Sequence, residues 1–439
     1  MTTEVPTICY RMDPSKRLLM QQVCPTQCES HGKPNTADHP PCLLSTQKHT
    51  VLDLEGIRRL ALMVTPHPGG LFMDQAWETL STIRAVLLQH PQPMAITTQT
   101  VFLRNAQDAA TCRRLFEVYY QDRMPATNYV LQPPCNGSAL AIEAWAVGGA
   151  GADIRFHNEH LVTVEYDGLT WIHCAGISPP PTLSTAHGQS SFIFEQMENL
   201  MTQAGTSFNQ VVRTWLYQGG ITEPEEGIER YRELNRARSD FFRKHGIDGQ
   251  PNQERAPQVF YPASTGIGTL GLGLAGSCIA LHTDRPDVRL LPLENPHQTP
   301  SCQYGREFSE KSPRFSRAAA VRIGDYLTTW ISGTASIVGS ESRHPNDVAA
   351  QTRQTIDNIE QLIAAPNFER HGLRGAGVSL ADLAKIRVYV KHPEDFELCR
   401  SICEERFGNI PTLYAVADIC RPELLVEIEG VAFTSLRAK

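Results

Sequence analysis

Hydrophobic and polar positions along this 439-residue chain alternate between two periods, and the switch between them recurs three times. In the first stretch Ala76, Leu80, Ile83 and Leu87 share one face of a helix. A strand near Ile96–Leu103 follows, then a helix marked by Cys112, Phe116 and Tyr119, then Pro125-Ala-Thr127 and a strand over Ala139–Val147. In the second, Ile193, Met197 and Leu200 mark the helix and Val211–Tyr217 the strand. Tyr231–Lys244 forms the next helix, and Pro262-Ala-Ser264 leads to the strand Ser277–His282. In the third, Val348, Ile356, Ile359 and Ile363 line the helix, while Ile386, Val388 and Val390 alternate along the strand. A further helix runs from about Pro393 to Phe407, and Pro411 opens the last two strands.

Helix–strand–helix–strand units of this kind predict an α+β sandwich with mostly antiparallel sheets and helices on one side. A small open sheet leaves a bare face and bare edges, which three copies can cover for one another. The expected division is an irregular lead-in over 1–50, a degenerate unit over 51–150, a second unit over 151–300 and a third over 301–439. Thr222–Glu229 reads as an insertion and Asp284–Ser312 as a long connection.

Composition narrows the classes of function. A net charge of −7 argues against nucleic acid as the main partner. No apolar run reaches the roughly 18–20 residues that span a bilayer. The opening Met-Thr-Thr-Glu-Val-Pro lacks a charged-then-apolar leader, so a cytoplasmic protein is expected. The 12 cysteines are scattered rather than set in paired knuckles. Cys24, Cys28 and Cys42 with His31 and His39 form the one cluster that suggests zinc, but their spacing is loose, and no metal is expected. Cys399 and Cys403, four apart on a helix, read as small core residues. The glycine run Gly266–Gly276 lacks the Lys-Ser/Thr of a phosphate loop and reads as close backbone approach, so no nucleotide or other cofactor is expected.

The most informative segment is the last strand. Leu424, Val426 and Ile428 point one way, and Glu427 and Glu429 the other. Two carboxylates on one face of an apolar strand are either a solvated outer face or a pair with work to do. The first unit has Ala141 and Glu143 at this place, and the second has the apolar run Ile279-Ala280-Leu281.

Two resemblances bear on this choice. Asp347-Val-Ala-Ala-Gln-Thr-Arg-Gln-Thr-Ile-Asp-Asn358, Ile331-Ser-Gly-Thr334 and Val426-Glu-Ile-Glu-Gly-Val-Ala432 resemble the Rid (YjgF) family. The first unit resembles it more faintly through Pro125-Ala126 and Ile142-Glu-Ala-Trp145. Rid proteins are trimers of a chorismate-mutase-like fold with clefts between subunits, which implies three tandem units forming an intrachain pseudo-trimer. Their deaminase members hold a substrate carboxylate with an arginine two residues after the Pro. Here those positions are Thr127, Ser264 and Leu413, none of which makes a bidentate pair with a carboxylate.

Over about 160–439 the chain is similar to the chorismatase family. The matching blocks are Arg213-Thr-Trp-Leu-Tyr217, Tyr231-Arg-Glu-Leu-Asn-Arg-Ala-Arg238, Pro262-Ala-Ser-Thr-Gly-Ile-Gly268, Glu294-Asn-Pro-His-Gln298, Ser312-Pro-Arg-Phe-Ser-Arg-Ala318, Ile331-Ser-Gly-Thr-Ala-Ser-Ile-Val-Gly339 and Cys420-Arg-Pro-Glu-Leu-Leu-Val-Glu-Ile-Glu429, in that order. The resemblance implies a lyase or hydrolase that removes the enolpyruvyl group of chorismate as pyruvate, leaving a hydroxybenzoate or a dihydroxycyclohexadiene carboxylate. An enol ether becomes labile when its methylene carbon is protonated, which needs a carboxylic acid that keeps its proton near neutral pH.

The resemblance casts Glu427 as that acid, with Glu429 as the secondary choice. Arg238, Arg213 and Arg317 are the cations expected for the substrate carboxylates. Tyr304 is expected to orient substrate or water, and Gly333, beside the ring, leans toward a hydroxybenzoate product. The expected partner is a small molecule, chorismate or a related enol ether, bound by a monomer with internal threefold pseudo-symmetry or a small homo-oligomer. The rival functions are a noncatalytic Rid-like metabolite-binding protein and a Rid-type hydrolase acting on another substrate. Convergence of a buried Glu427 with arginines on one pocket discriminates between them.

Overall fold

The computed structural model describes residues 46–54, 56–247, 260–305 and 310–436. The cysteine–histidine cluster between Cys24 and Cys42, and nearly all of the expected lead-in, lie outside the described residues.

Three sheets are built on one plan. The first contains β1 (Thr46–Leu54), β2 (Ile57–Thr65), β3 (Met94–Leu103), β4 (Ala126–Val130) and β5 (Leu140–Gly148). Helices α1 (Phe72–Leu88) and α2 (Ala109–Tyr120) pack on it. The second contains β6 (Asp153–Asn158), β7 (Leu161–Tyr166), β8 (Leu169–Ile177), β9 (Val211–Gly219), β12 (Ala263–Thr269) and β13 (Leu274–Thr283). Its helices are α3 (Ala186–Gln203) and α4 (Arg230–Lys244), and the short hairpin β10 (Pro224–Glu225) and β11 (Ile228–Glu229) precedes α4. The third contains β14 (Val288–Leu293), β15 (Ala318–Ile323), β16 (Tyr326–Ala335), β19 (Leu383–Val390), β20 (Thr412–Val416) and β21 (Val426–Ser435). Helices α5 (Val348–Ile363), α6 (Ala365–Arg370) and α7 (Phe396–Phe407) and the hairpin β17 (Ile337–Val338) and β18 (Glu341–Ser342) complete it.

The strand orders are β1-β2-β5-β3-β4, β6-β7-β8-β13-β9-β12 and β14-β15-β16-β21-β19-β20. In each, the last strand of the unit inserts at the centre, and the edge strand after the unit's last helix runs parallel to its neighbour. The helices and inner strands lie where their apolar periods put them. Each unit also opens with antiparallel strands that the pattern did not announce. The connection over 284–312 carries one of these, β14, paired with β15.

Every sheet has one face against its own helices and the other against a shared centre. The three helix-side cores stay separate. The central core draws on all three sheets and includes Trp145, Trp171, Trp215 and Trp330. A face that would otherwise be wet is thereby buried, at roughly 25 cal/mol per Å² of apolar surface removed from water.

Candidate active site

A cleft of about 440 Å³ opens between the second and third sheets. One wall is α4 with β12, presenting Tyr231, Asn235, Arg238 and Ser264. The other is β16 and the chain after β20, presenting Gly333, Cys420 and Arg421, and Glu427 reaches the cleft from β21. Tyr231, Asn235 and Arg238 share a helix face because they sit at i, i+4 and i+7. Two glycines of β12 permit the close fit. A Cβ on Gly266 would lie 3.0 Å from the Tyr231 ring, and one on Gly268 would lie 2.7 Å from Asp418.

Glu427 is 3% exposed. Burial and the neighbouring Glu429 push its carboxyl up to about 8, against the pull of Arg213 and Arg317. Its place depends on a bulge in β16. Ile331 pairs with Gly430 and Thr334 with Ile428, so Ser332 and Gly333 together face one residue of β21. A Cβ on Gly333 would stand 2.0 Å from Oε1 of Glu427. Glycine therefore makes the space that the carboxyl fills.

Arg238 and Arg317 both line the cleft and are buried. Arg238 donates to Ser264 Oγ at 3.3 Å and to Asn235 Oδ1, and lies 5.6 Å from the Phe315 ring. Arg317 donates to Tyr304 OH at 2.5 Å and to the Thr299 carbonyl at 3.1 Å. Among the described residues, the buried Nε of each arginine has no hydrogen-bond acceptor. Arg421 stacks 5.5 Å from the Tyr304 ring and donates to the Ser340 carbonyl at 2.8 Å.

Two expected site residues lie elsewhere. Arg213 and Glu429 sit behind the cleft and pair with each other at 2.5 Å. Glu429 also takes Trp215 Nε1 at 2.9 Å, Arg387 at 3.1 Å and the Thr265 hydroxyl. Although buried, its carboxyl is held below the usual range, with Arg387 and Arg213 the principal causes. A carboxylate clamped between two guanidiniums does not keep a proton to donate. Glu429 is thus excluded as the alternative acid, and Arg213 serves it rather than a ligand. Strand alternation put both carboxylates on one face, but it could not tell the cleft end of that face from the core end.

The same buried network reaches the first sheet. Glu143 pairs with Lys385 and Arg387, and Arg387 donates to Tyr217 OH at 2.7 Å. Sequence reasoning noted Glu143 but not these partners, which lie 242 and 244 positions away in the chain. It also missed Asn235, Ser264, Phe315 and Arg421. The helical spacing from Tyr231 could have found Asn235, but the others sit on strands and loops with no such period. Among the described residues, no group of three or more His, Cys, Asp or Glu is placed to hold a metal ion. No helix among them is long and apolar enough to cross a membrane.

Fold and site define an α+β protein with a protonatable carboxyl and two arginines in a cleft between sheets. Residues 143–280 match the family described as chorismatase FkbO/Hyg5-like, N-terminal, and residues 310–434 match endoribonuclease L-PSP, the Rid domain. A 3-hydroxybenzoate synthase from Streptomyces hygroscopicus is 34% identical over 281 residues, covering 61% of this chain and 77% of that protein. A chorismatase from Streptomyces rapamycinicus is 34% identical over 275 residues, with the same coverage. A chorismatase crystal structure superposes with a TM-score of 0.61 at 23% identity, over 77% of this chain and 93% of that one. The chain belongs to the chorismatase family.

Proposed function

We propose that this protein transforms chorismate, releasing the enolpyruvyl group as pyruvate and leaving a hydroxybenzoate or a dihydroxycyclohexadiene carboxylate. The observation that carries the reading is Glu427, a buried carboxyl pushed up to about 8 and facing a cleft that also holds Arg238 and Arg317. A metabolite-binding module needs the cations but has no use for a carboxyl that keeps its proton at neutral pH.

In this reading Glu427 donates its proton to the methylene carbon of the enol ether, and positive charge develops on the adjacent ether carbon. Water then adds to that carbon and returns a proton to the Glu427 carboxylate. The resulting hemiketal breaks its bond to the ring oxygen, releasing pyruvate and a ring diol. Loss of one water from the diol gives the hydroxybenzoate. The Glu427 proton is restored in each cycle; one water is consumed when the diol is the product and returned when the diol dehydrates to the hydroxybenzoate. Arg238 and Arg317, which line the cleft, would take the two carboxylates. A bound dianion would raise the Glu427 carboxyl further. Tyr304, held by Arg317, would fix the ring or the water, and Gly333 would leave room for carboxyl and ring together. We extend the reading to the whole chain as an internal pseudo-trimer, with units near 51–150, 151–300 and 301–439. The common strand order of the three sheets supports it.

The test is to incubate purified protein with chorismate and follow pyruvate and ring products by chromatography. Pyruvate with a hydroxybenzoate or the ring diol is the expected result. Absence of pyruvate from folded protein removes chorismate as the substrate and favours a binding role.

A further inference from the structure

Thr265 lies outside the cleft lining, yet its hydroxyl is used to capacity. It donates to Glu429, accepts from Arg213 Nη2 at 2.5 Å and accepts from the Gly333 backbone N–H at 3.0 Å. A hydroxyl offers one donor and two lone pairs, so none is left over. The third of these bonds matters most for chemistry. Gly333 belongs to the β16 bulge, where the ladder to β21 is interrupted. The bulge is instead captured by β12 of the second sheet, at two adjacent points. Gly333 N–H meets the Thr265 hydroxyl, and Ser332 Oγ accepts from Ser264 N–H at 2.9 Å while donating to the Ser316 carbonyl at 2.6 Å.

We propose that Thr265 is a positioning residue for the acid Glu427, acting through Gly333: its hydroxyl pins the bulge whose missing Cβ makes the carboxyl's seat. The inference rests on the chorismate reading only for its kinetic readout. A bulge is a local kink with an unpaired residue, and the ladder itself does not fix its depth. With the Gly333 amide anchored to the neighbouring sheet, the backbone cannot advance into the space beside Glu427 Oε1. The Thr265 methyl packs on the same spot, with Cγ2 3.2 Å from where a Cβ on Gly333 would be. Thr265 therefore joins the clamp around Glu429 to the seat of Glu427 through one side chain.

The test compares Thr265→Val, which keeps the shape and loses the hydroxyl, with Thr265→Ser, which keeps the hydroxyl. Two measurements are made on each full-length variant. Turnover of chorismate should fall on the order of 10²-fold in kcat for Thr265→Val, the scale of a 1 Å misplacement. Its KM should stay within about threefold, since Arg238 and Arg317 are untouched, and Thr265→Ser should recover most of the rate. Independently of turnover, carboxyl ¹³C NMR follows the titration of Glu427, assigned by its loss in Glu427→Gln. The midpoint should drop toward the ordinary carboxyl range in Thr265→Val, where a loosened bulge admits water, and stay in place in Thr265→Ser. An unmoved midpoint in Thr265→Val overturns the proposal, as does equal loss in the two variants. Wild-type protein inert on chorismate would overturn the functional reading alone, because the titration still decides the positioning role.

Discussion

Among single residues, two carboxyls two positions apart on one strand are driven in opposite directions by their surroundings. Glu427 is buried beside a like charge and keeps its proton, whereas Glu429 is buried between arginines and loses it. Catalysis that begins with proton donation should therefore weaken as pH rises through about 8. A pH profile of kcat/KM should show that basic limb, and the profile of kcat a limb moved upward by the bound dianion. Stability should follow the same group. Between the carboxyl's ordinary range and about 8 the folded state holds a proton that the unfolded state has shed, so stability falls as pH rises across that window. Urea titrations at several pH values should show that slope, reduced in Glu427→Gln. Gly333→Ala sets a methyl against the Glu427 carboxyl, whose flexible end must swing away. It should slow turnover on the order of tenfold, on the scale of a displaced catalytic group, and change the ratio of ring products measured by chromatography. Glu427, Arg238, Arg317 and Gly333, singled out because blocks containing them resemble a family, all line the cleft, as does Tyr304, which falls between two such blocks. Glu429 was set at the cleft because spacing gives the face of a strand but not the depth along it, and Arg213 because the block that carries it does not show which way its side chain turns; the two pair with each other in the centre.

At the scale of elements, the cleft is what three local features make together: the α4 face, the β12 glycines and the β16 bulge. Helices α4 and α5 were readable from their 3.6-residue period, and the inner strands from theirs. The bulge was not readable, since Ile331-Ser-Gly-Thr334 continues a strand pattern and only the pairing to β21 breaks. The opening strands β1, β2, β7, β8, β14 and β15 were not read from the pattern; β2, for one, is buried along most of its length, so its two faces do not alternate. The clamp around Glu429 ties β9, β12, β19 and β21 through side chains in the dry centre. Removing its negative charge leaves two buried guanidiniums facing each other. Glu429→Gln should cost about 3–5 kcal/mol in urea unfolding, the usual scale for breaking a buried pair by one partner.

At the scale of the whole molecule, the three sheets depend on a common centre. Trp145 of the first sheet packs 5.2 Å from Trp330 of the third, and Trp330 packs 6.1 Å from Trp215 of the second. Glu143 is the charge partner of Lys385 and Arg387 across the same centre. A chain lacking residues 1–150 would take Glu143 from Lys385, leave Arg387 to Glu429 alone and bare the apolar faces of two sheets. It should lose the cooperative thermal transition of the full chain, seen by circular dichroism, even though the cleft residues all remain. The threefold recurrence of elements was legible in the sequence, because each unit repeats the same alternation of periods. The charged centre was not, because its partners come from strands far apart in the chain. In the proposed reaction a protonated Glu427 supplies the proton. The direct measurement is the rate of pyruvate release from chorismate by wild type and by folded Glu427→Gln, with chorismate affinity measured in parallel by calorimetry. The account predicts that the variant binds with affinity within severalfold of wild type and that release falls by about 10³-fold or more, within the usual range for a positioned general acid. Pyruvate released by Glu427→Gln at the wild-type rate would contradict it.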